Sequence, residues 1–105
     1  MKGLKENQIL VVIKEPGNAP KVEPLFENTL EAFQEAVGGY IETVTVADDL
    51  VIVCNEEGRL IGLPHNTTVC GVSFVGTIIA VGIKCDEFAS LKSKHVPTVL
   101  RMMEG

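Results

Sequence analysis

Apolar and polar positions divide the chain into short β-like runs around one clear helical stretch. In residues 30–37 (LEAFQEAV), Leu30, Phe33 and Val37 recur at spacings of three and four, with Ala36 beside them. Asn28 stands where an N-cap belongs, and Glu31 is placed to reach back in a capping box. Gly38 or Gly39 supplies the left-handed residue that ends the helix. A helix of about ten residues is marginal in isolation. Its apolar face is therefore expected against a sheet containing Val51 to Val53.

The β-like runs surround this helix. Gln8 to Ile13 forms an apolar strand, and Glu15-Pro16-Gly17 suits a type II turn. Lys21 to Phe26 continues as a strand that Pro24 confines to an edge. Tyr40 to Val46 is rich in β-formers, Asp48-Asp49 breaks it, and Leu50 to Val53 is apolar throughout, as a strand buried on both faces would be. Asn55-Glu56-Glu57-Gly58 reads as a hairpin loop with glycine left-handed, returning through a strand from Arg59 to Leu63 that Pro64 stops. His65 to Thr68 then reads as a polar loop. Val69 to Ile83 holds one or two strands interrupted by Gly71 and Gly76. A final helix packs through Val96, Val99, Leu100 and Met103, with its start between Ser93 and Pro97. The pattern predicts one α+β domain over residues 1–105. Its sheet is mixed and mostly antiparallel, of five to seven strands, with the main helix packed on one face and a C-terminal helix.

Composition narrows the function classes. No apolar window is long enough to span a membrane. The polar opening MKGLKENQ lacks a leader pattern, and the three scattered cysteines fit reduced thiols. A cytoplasmic location is the expectation. With 14 acidic against 9 basic residues the net charge is −5, which disfavours binding along a nucleic-acid backbone. Glu27, Glu31 and Glu35 line one side of the helix, as a solvated face or an acidic docking surface.

Catalytic and metal motifs are missing from the pattern. Gly71-Val72-Ser73-Phe74-Val75-Gly76 is one residue too long for a nucleophile elbow. The cysteines and the two histidines, His65 and His95, lack metal-ligand spacing, and no glycine-rich phosphate loop opens a helix. No catalytic residue, metal or cofactor is assigned. What stands out is a set of polar groups at turns: Tyr40, Asn55, Arg59, His65 and Asn66. Arg59 can hold a phosphate or carboxylate and Tyr40 offers a stacking face, so this set suits a small polar, anionic ligand.

The same residues carry a family resemblance. Glu15-Pro16-Gly17 with Pro20, the run from Leu30-Glu31 to Val37-Gly38-Gly39-Tyr40-Ile41-Glu42, Cys54-Asn55-Glu56-Glu57-Gly58, Leu63-Pro64 with Asn66, and Gly76-Thr77 with Gly82 resemble the domain of unknown function 3846. The chain departs from that pattern at Ser93–Pro97, where family members open an acid-rich helix. The resemblance implies a phage or mobile-element protein of Gram-positive bacteria, with no activity to assign residue by residue. Its expected role is a non-enzymatic, anti-defence binding protein that sequesters a host nucleotide second messenger as a homo-oligomer. An acidic protein-docking or DNA-mimic inhibitor, or a structural or regulatory interaction module, are the alternatives.

Overall fold

The computed structural model describes residues 7–104. The opening segment read for a leader lies almost wholly outside them. In chain order the elements are β1 (Gln8–Lys14), β2 (Lys21–Glu27), α1 (Leu30–Val37), β3 (Ile41–Ala47), β4 (Leu50–Asn55), β5 (His65–Val69), β6 (Val72–Val75), β7 (Ile78–Lys84), β8 (Glu87–Ala89) and α2 (Val96–Glu104). Six strands form one sheet in the order β2-β1-β7-β4-β3, with β8 beside the end of β7, while β5 and β6 form a separate hairpin. All these pairings are antiparallel, which gives the expected α+β architecture.

The central strands dictate the layers. Every residue of β4 is buried, so both of its faces need cover. Leu50, Ile52 and Cys54 join Ile78 and Ala80 of β7 in a core completed by Val69, Phe74, Val99 and Met103 from the hairpin and α2. Val51 and Val53 join Ile79 and Val81 in the opposite core, capped by Phe33 and Val37 of α1. Phe33 is flanked by the rings of Phe26 and Phe88, each 4.8 Å away between centroids and tilted by 58° and 53°. These are favourable edge-on geometries.

Several local readings change. The N-cap of α1 is Thr29, whose hydroxyl accepts from the Ala32 N–H at 3.1 Å. Asn28 instead donates its amide to the Phe88 carbonyl at 2.9 Å, tying the β2–α1 corner to β8. Phe33 and Val37 are buried as expected, but Leu30, now the first residue of the helix, is 55% exposed. Gly38 ends the helix with φ of 82°, as expected.

The hairpin expected through Asn55–Gly58 does not form. The Asn55 side chain accepts from the Glu57 N–H at 2.7 Å, and carbonyls of Asn55, Glu57, Gly58 and Arg59 bond N–H groups three to five residues ahead. The segment from Glu56 to Gly62 therefore winds into successive turns, and Gly62, not Gly58, takes the left-handed conformation at φ 75°. No strand returns along β4 here; the next strand, β5, takes up the His65–Thr68 stretch read as a polar loop and pairs with β6. β8 lies in a stretch to which the pattern assigned no strand.

A single turn of 3-10 helix, Ser93–His95, leads into α2, and Val96 is helical even though Pro97 follows it. Proline normally disfavours that conformation in its predecessor. Here the junction is held from outside: Lys92 reaches Asp49 at 2.8 Å, and His95 Nε2 lies 3.2 Å from the same carboxylate. These contacts pin the head of α2 to the β3–β4 turn.

Two measurements check this packing. Phe33→Ala should lose about 3–5 kcal/mol in denaturant unfolding, the usual cost of truncating a core aromatic, whereas Leu30→Ala should fall within about 0.5 kcal/mol of wild type. Equal losses would mean that α1 is rotated from its observed position. The second concerns Asp49, whose pKa is held down to about 2 from 3.8, chiefly by Lys92 and then by His95. A carboxyl depressed on folding contributes stability above its unfolded pKa and loses it as pH falls through the folded one. The melting temperature should therefore drop between pH 4 and pH 2 by an increment that Asp49→Asn lacks. Parallel acid limbs in the two proteins would contradict the latch.

Candidate functional site

The strongest cleft follows from the mismatch between the two layers on one face. The β5–β6 hairpin and α2 cover the centre of the sheet, while Val44 and Val46 of β3 are only partly buried against that core. This leaves a cleft of about 400 Å³ between β3–β4 and β6. Its floor is apolar, from Val44, Cys54, Val72 and Phe74, and its polar walls carry Glu42, Glu56, Arg59 and Ser73. Glu56 and Arg59 come from the wound β4–β5 connection. The Arg59 guanidinium donates to the Ser73 carbonyl, which fastens that connection to the hairpin. Burial pushes the Cys54 thiol pKa up, the Glu42 carboxylate pushes it further, and Arg59 pulls the other way. The thiol stays protonated and is a poor nucleophile.

A second, shallower groove of about 250 Å³ opens on the other side of Asn55, between the end of α1 and the wound connection. Tyr40 and Ile61 form its apolar wall, with Gln34 and Glu57 as polar neighbours. Tyr40 is 69% exposed, so it is not a core residue at the helix–strand junction. Next to it Ile61 is 58% exposed, while Leu60, which lines the cleft instead, is 86% exposed. Large apolar side chains that stand out together are unusual on a protein surface.

The structure separates the five residues singled out from the sequence. Tyr40 lines the groove, Arg59 lines the cleft, and Asn55 forms part of both walls. The Asn55 side chain is committed, donating to the Val37 carbonyl at 3.1 Å while accepting from Glu57. Gly39 lies so close that a Cβ there would come within 2.9 Å of the Asn55 amide, which explains the second glycine after the helix. His65 borders neither opening, but its Nδ1 lies 3.2 Å from the Ser73 hydroxyl. Asn66 is elsewhere. Its amide donates to the Lys14 and Gly76 carbonyls at 2.8 and 2.7 Å, and its oxygen accepts from the Lys14 ammonium at 2.9 Å.

Glu42, Leu60, Ile61 and Lys14 were missed. An outward Leu-Ile pair inside a presumed strand could have signalled an exposed turn, but the strand reading concealed it. Lys14 gave no signal: a lysine at a strand end is ordinarily solvated, yet this one is only 6% exposed. Among the described residues no three His, Cys, Asp or Glu side chains converge as a metal ion would require. No helix there is long and apolar enough to cross a membrane.

Fold and surface together define a small α+β protein, a layered antiparallel sheet with an acid-lined cleft and an adjoining apolar groove. The family model described as Domain of unknown function (DUF3846) matches residues 8–104, and the chain belongs to that family. No curated protein and no solved structure matches it.

The committed and free polar groups can be told apart by unfolding experiments. Asn66→Ala would take the donor from two carbonyls and leave the buried Lys14 ammonium only its long contact to the Glu15 carbonyl, and since a group left unpaired costs about 1–3 kcal/mol, a large fall in stability is expected. Tyr40→Ala should leave the melting temperature within a few degrees. The reverse ranking would mean that Asn66 faces solvent and Tyr40 the core.

Proposed function

We propose that this protein is a non-enzymatic docking module whose partner is a protein segment with an apolar anchor flanked by basic residues. The carrying observation is the exposed pair Tyr40 and Ile61 on the groove, with Leu60 exposed on the cleft side of the same β4–β5 connection. Contiguous exposed apolar groups with a polar rim mark interaction sites. The rim is acidic, with Glu42, Glu56 and Glu57 lining the adjoining openings, and the one cation among their lining residues, Arg59, already donates to the Ser73 carbonyl. Such a surface attracts a basic partner and repels an anion. For a family resembling phage and mobile-element proteins, this suits an inhibitor that docks on a host defence or restriction protein.

Sequestration of a nucleotide second messenger is the second reading. The size of the cleft favours it, since about 400 Å³ lies within the roughly 300–1,000 Å³ of small-molecule sites, and Arg59 is in its wall. Against it stand the two carboxylates of the same cleft and the distance in function between Arg59 and Tyr40, which face different openings.

Selection of displayed peptides on the immobilised chain tests the first reading. Enriched sequences should combine an apolar residue with Lys or Arg. Their affinity should fall about thirtyfold or more, the loss of a hot spot of about 2 kcal/mol, on the double change Leu60→Ser and Ile61→Ser. Acidic winners, or binding indifferent to the double change, would refute docking at this patch. Calorimetric titration with cyclic di- and trinucleotides decides the alternative. Binding that Arg59→Ala weakens ten- to a hundredfold, the equivalent of about 1.5–3 kcal/mol, would move the function to the cleft.

A further inference from the structure

The two outer strands of the main sheet are protected very differently. β2 is guarded by Pro24, by the charges of Lys21, Glu23 and Glu27, and by a bulge in which Glu23–Phe26 spans three steps against two on β1. Proline, charge and bulges are the devices that keep sheet edges from pairing. β3 has no proline or lysine, and its one charged residue is Glu42. Its bulge comes late, between Thr45 and Ala47, so Ile41 to Thr45 is a regular five-residue edge facing outward. Among the described residues nothing pairs with that edge.

We propose that the outer edge of β3 pairs with the β3 of a second copy, antiparallel about a twofold axis through Thr43. This register uses only the regular residues. Ile41 then faces the partner's Thr45, Glu42 the partner's Val44, and Thr43 its own counterpart. No carboxylate is set opposite a carboxylate, and a threonine pair sits at the axis, a favourable cross-strand combination. The pairing also closes: both open edges are consumed, and the joined sheet ends on the two guarded β2 strands. An isologous contact of this kind stops at two copies. This makes β3, rather than the Pro24-bearing β2, the assembly edge.

The dimer would change the cleft. Glu42 and Val44 line the cleft at its β3 side, and in the paired sheet the partner's Val44 and Glu42 lie directly beside them on the same face. Each cleft would thus gain a wall from the other copy. The Tyr40, Leu60 and Ile61 patch belongs to the connections beyond the strand, so the pairing stands or falls independently of the docking reading.

Light scattering of the full chain at micromolar concentration should report about twice the 11.3 kDa chain mass. Thr43→Lys, which sets two ammonium groups face to face, should halve that mass while leaving the far-ultraviolet circular dichroism unchanged. Independently of that variant's folding, Thr43→Cys in a Cys70→Ser, Cys85→Ser background should form a disulfide-linked dimer on mild oxidation. Residues directly opposite in antiparallel strands bring their Cβ atoms near disulfide range. Glu31→Cys on the exposed side of α1 should not cross-link. A monomeric wild type, or a dimer that cross-links through Leu25→Cys on β2 and not through Thr43→Cys, would overturn the proposal.

Discussion

The burial of β4 and β7 on both faces is the constraint on which the rest of this protein depends. Strands with apolar side chains on both sides cannot sit at the surface of a two-layer fold, because one face would always meet water. Leu50, Ile52, Ile78 and Ala80 need one cover; Val51, Val53, Ile79 and Val81 need another. At about 1.5–3 kcal/mol for each large side chain removed from water, this demand outweighs any local preference of the covering elements. A short α1 becomes stable by supplying Phe33 and Val37 to one face. The β5–β6 hairpin, too small to persist alone, becomes stable by supplying Val69 and Phe74 to the other.

Polar residues then join the layers. Asn66 ties the hairpin to the end of β1 through Lys14, Asn55 ties the end of α1 to the wound connection, and Asp49 ties the β3–β4 turn to the head of α2. In each case a side chain joins elements far apart in the chain, and for the buried Lys14 and Asn55 such partners are what buried polar groups require. Groups so engaged have little left to offer a ligand. The side chains that remain free near the openings are apolar or acidic, and this balance is what turns the functional reading from an anion toward a basic protein partner.

Where layers do not match in width, surface is left over. The hairpin and α2 bury Val44 and Val46 of β3 only partly, so the sheet ends in an open cleft on one face, with the unguarded edge of β3 beside it. Assembly through that edge and recognition at the neighbouring turns would use what packing left exposed.

The sequence by itself determined the elements whose signals are local. The apolar strand β1, the double-sided apolar run of β4, the Asp48-Asp49 turn and the left-handed Gly38 all follow from short-range sterics and periodicity, and the structure has each of them. The family was also legible, from segments around those same turns. The connection after β4 was not. Asn55-Glu56-Glu57-Gly58 is compatible with a hairpin or a wound turn, and the choice went to the latter once the Asn55 amide bonded the Val37 carbonyl, eighteen residues away. His65–Val69 looks polar because only alternate residues face the core, and its pairing with β6 makes it a strand. Tyr40, Asn55, Arg59, His65 and Asn66 were identifiable as unusual, but which way each side chain turned depended on partners distant in the chain. Such contacts exist only after the layers have packed, so tertiary structure alone decided which polar groups hold the fold and which surface is free to bind.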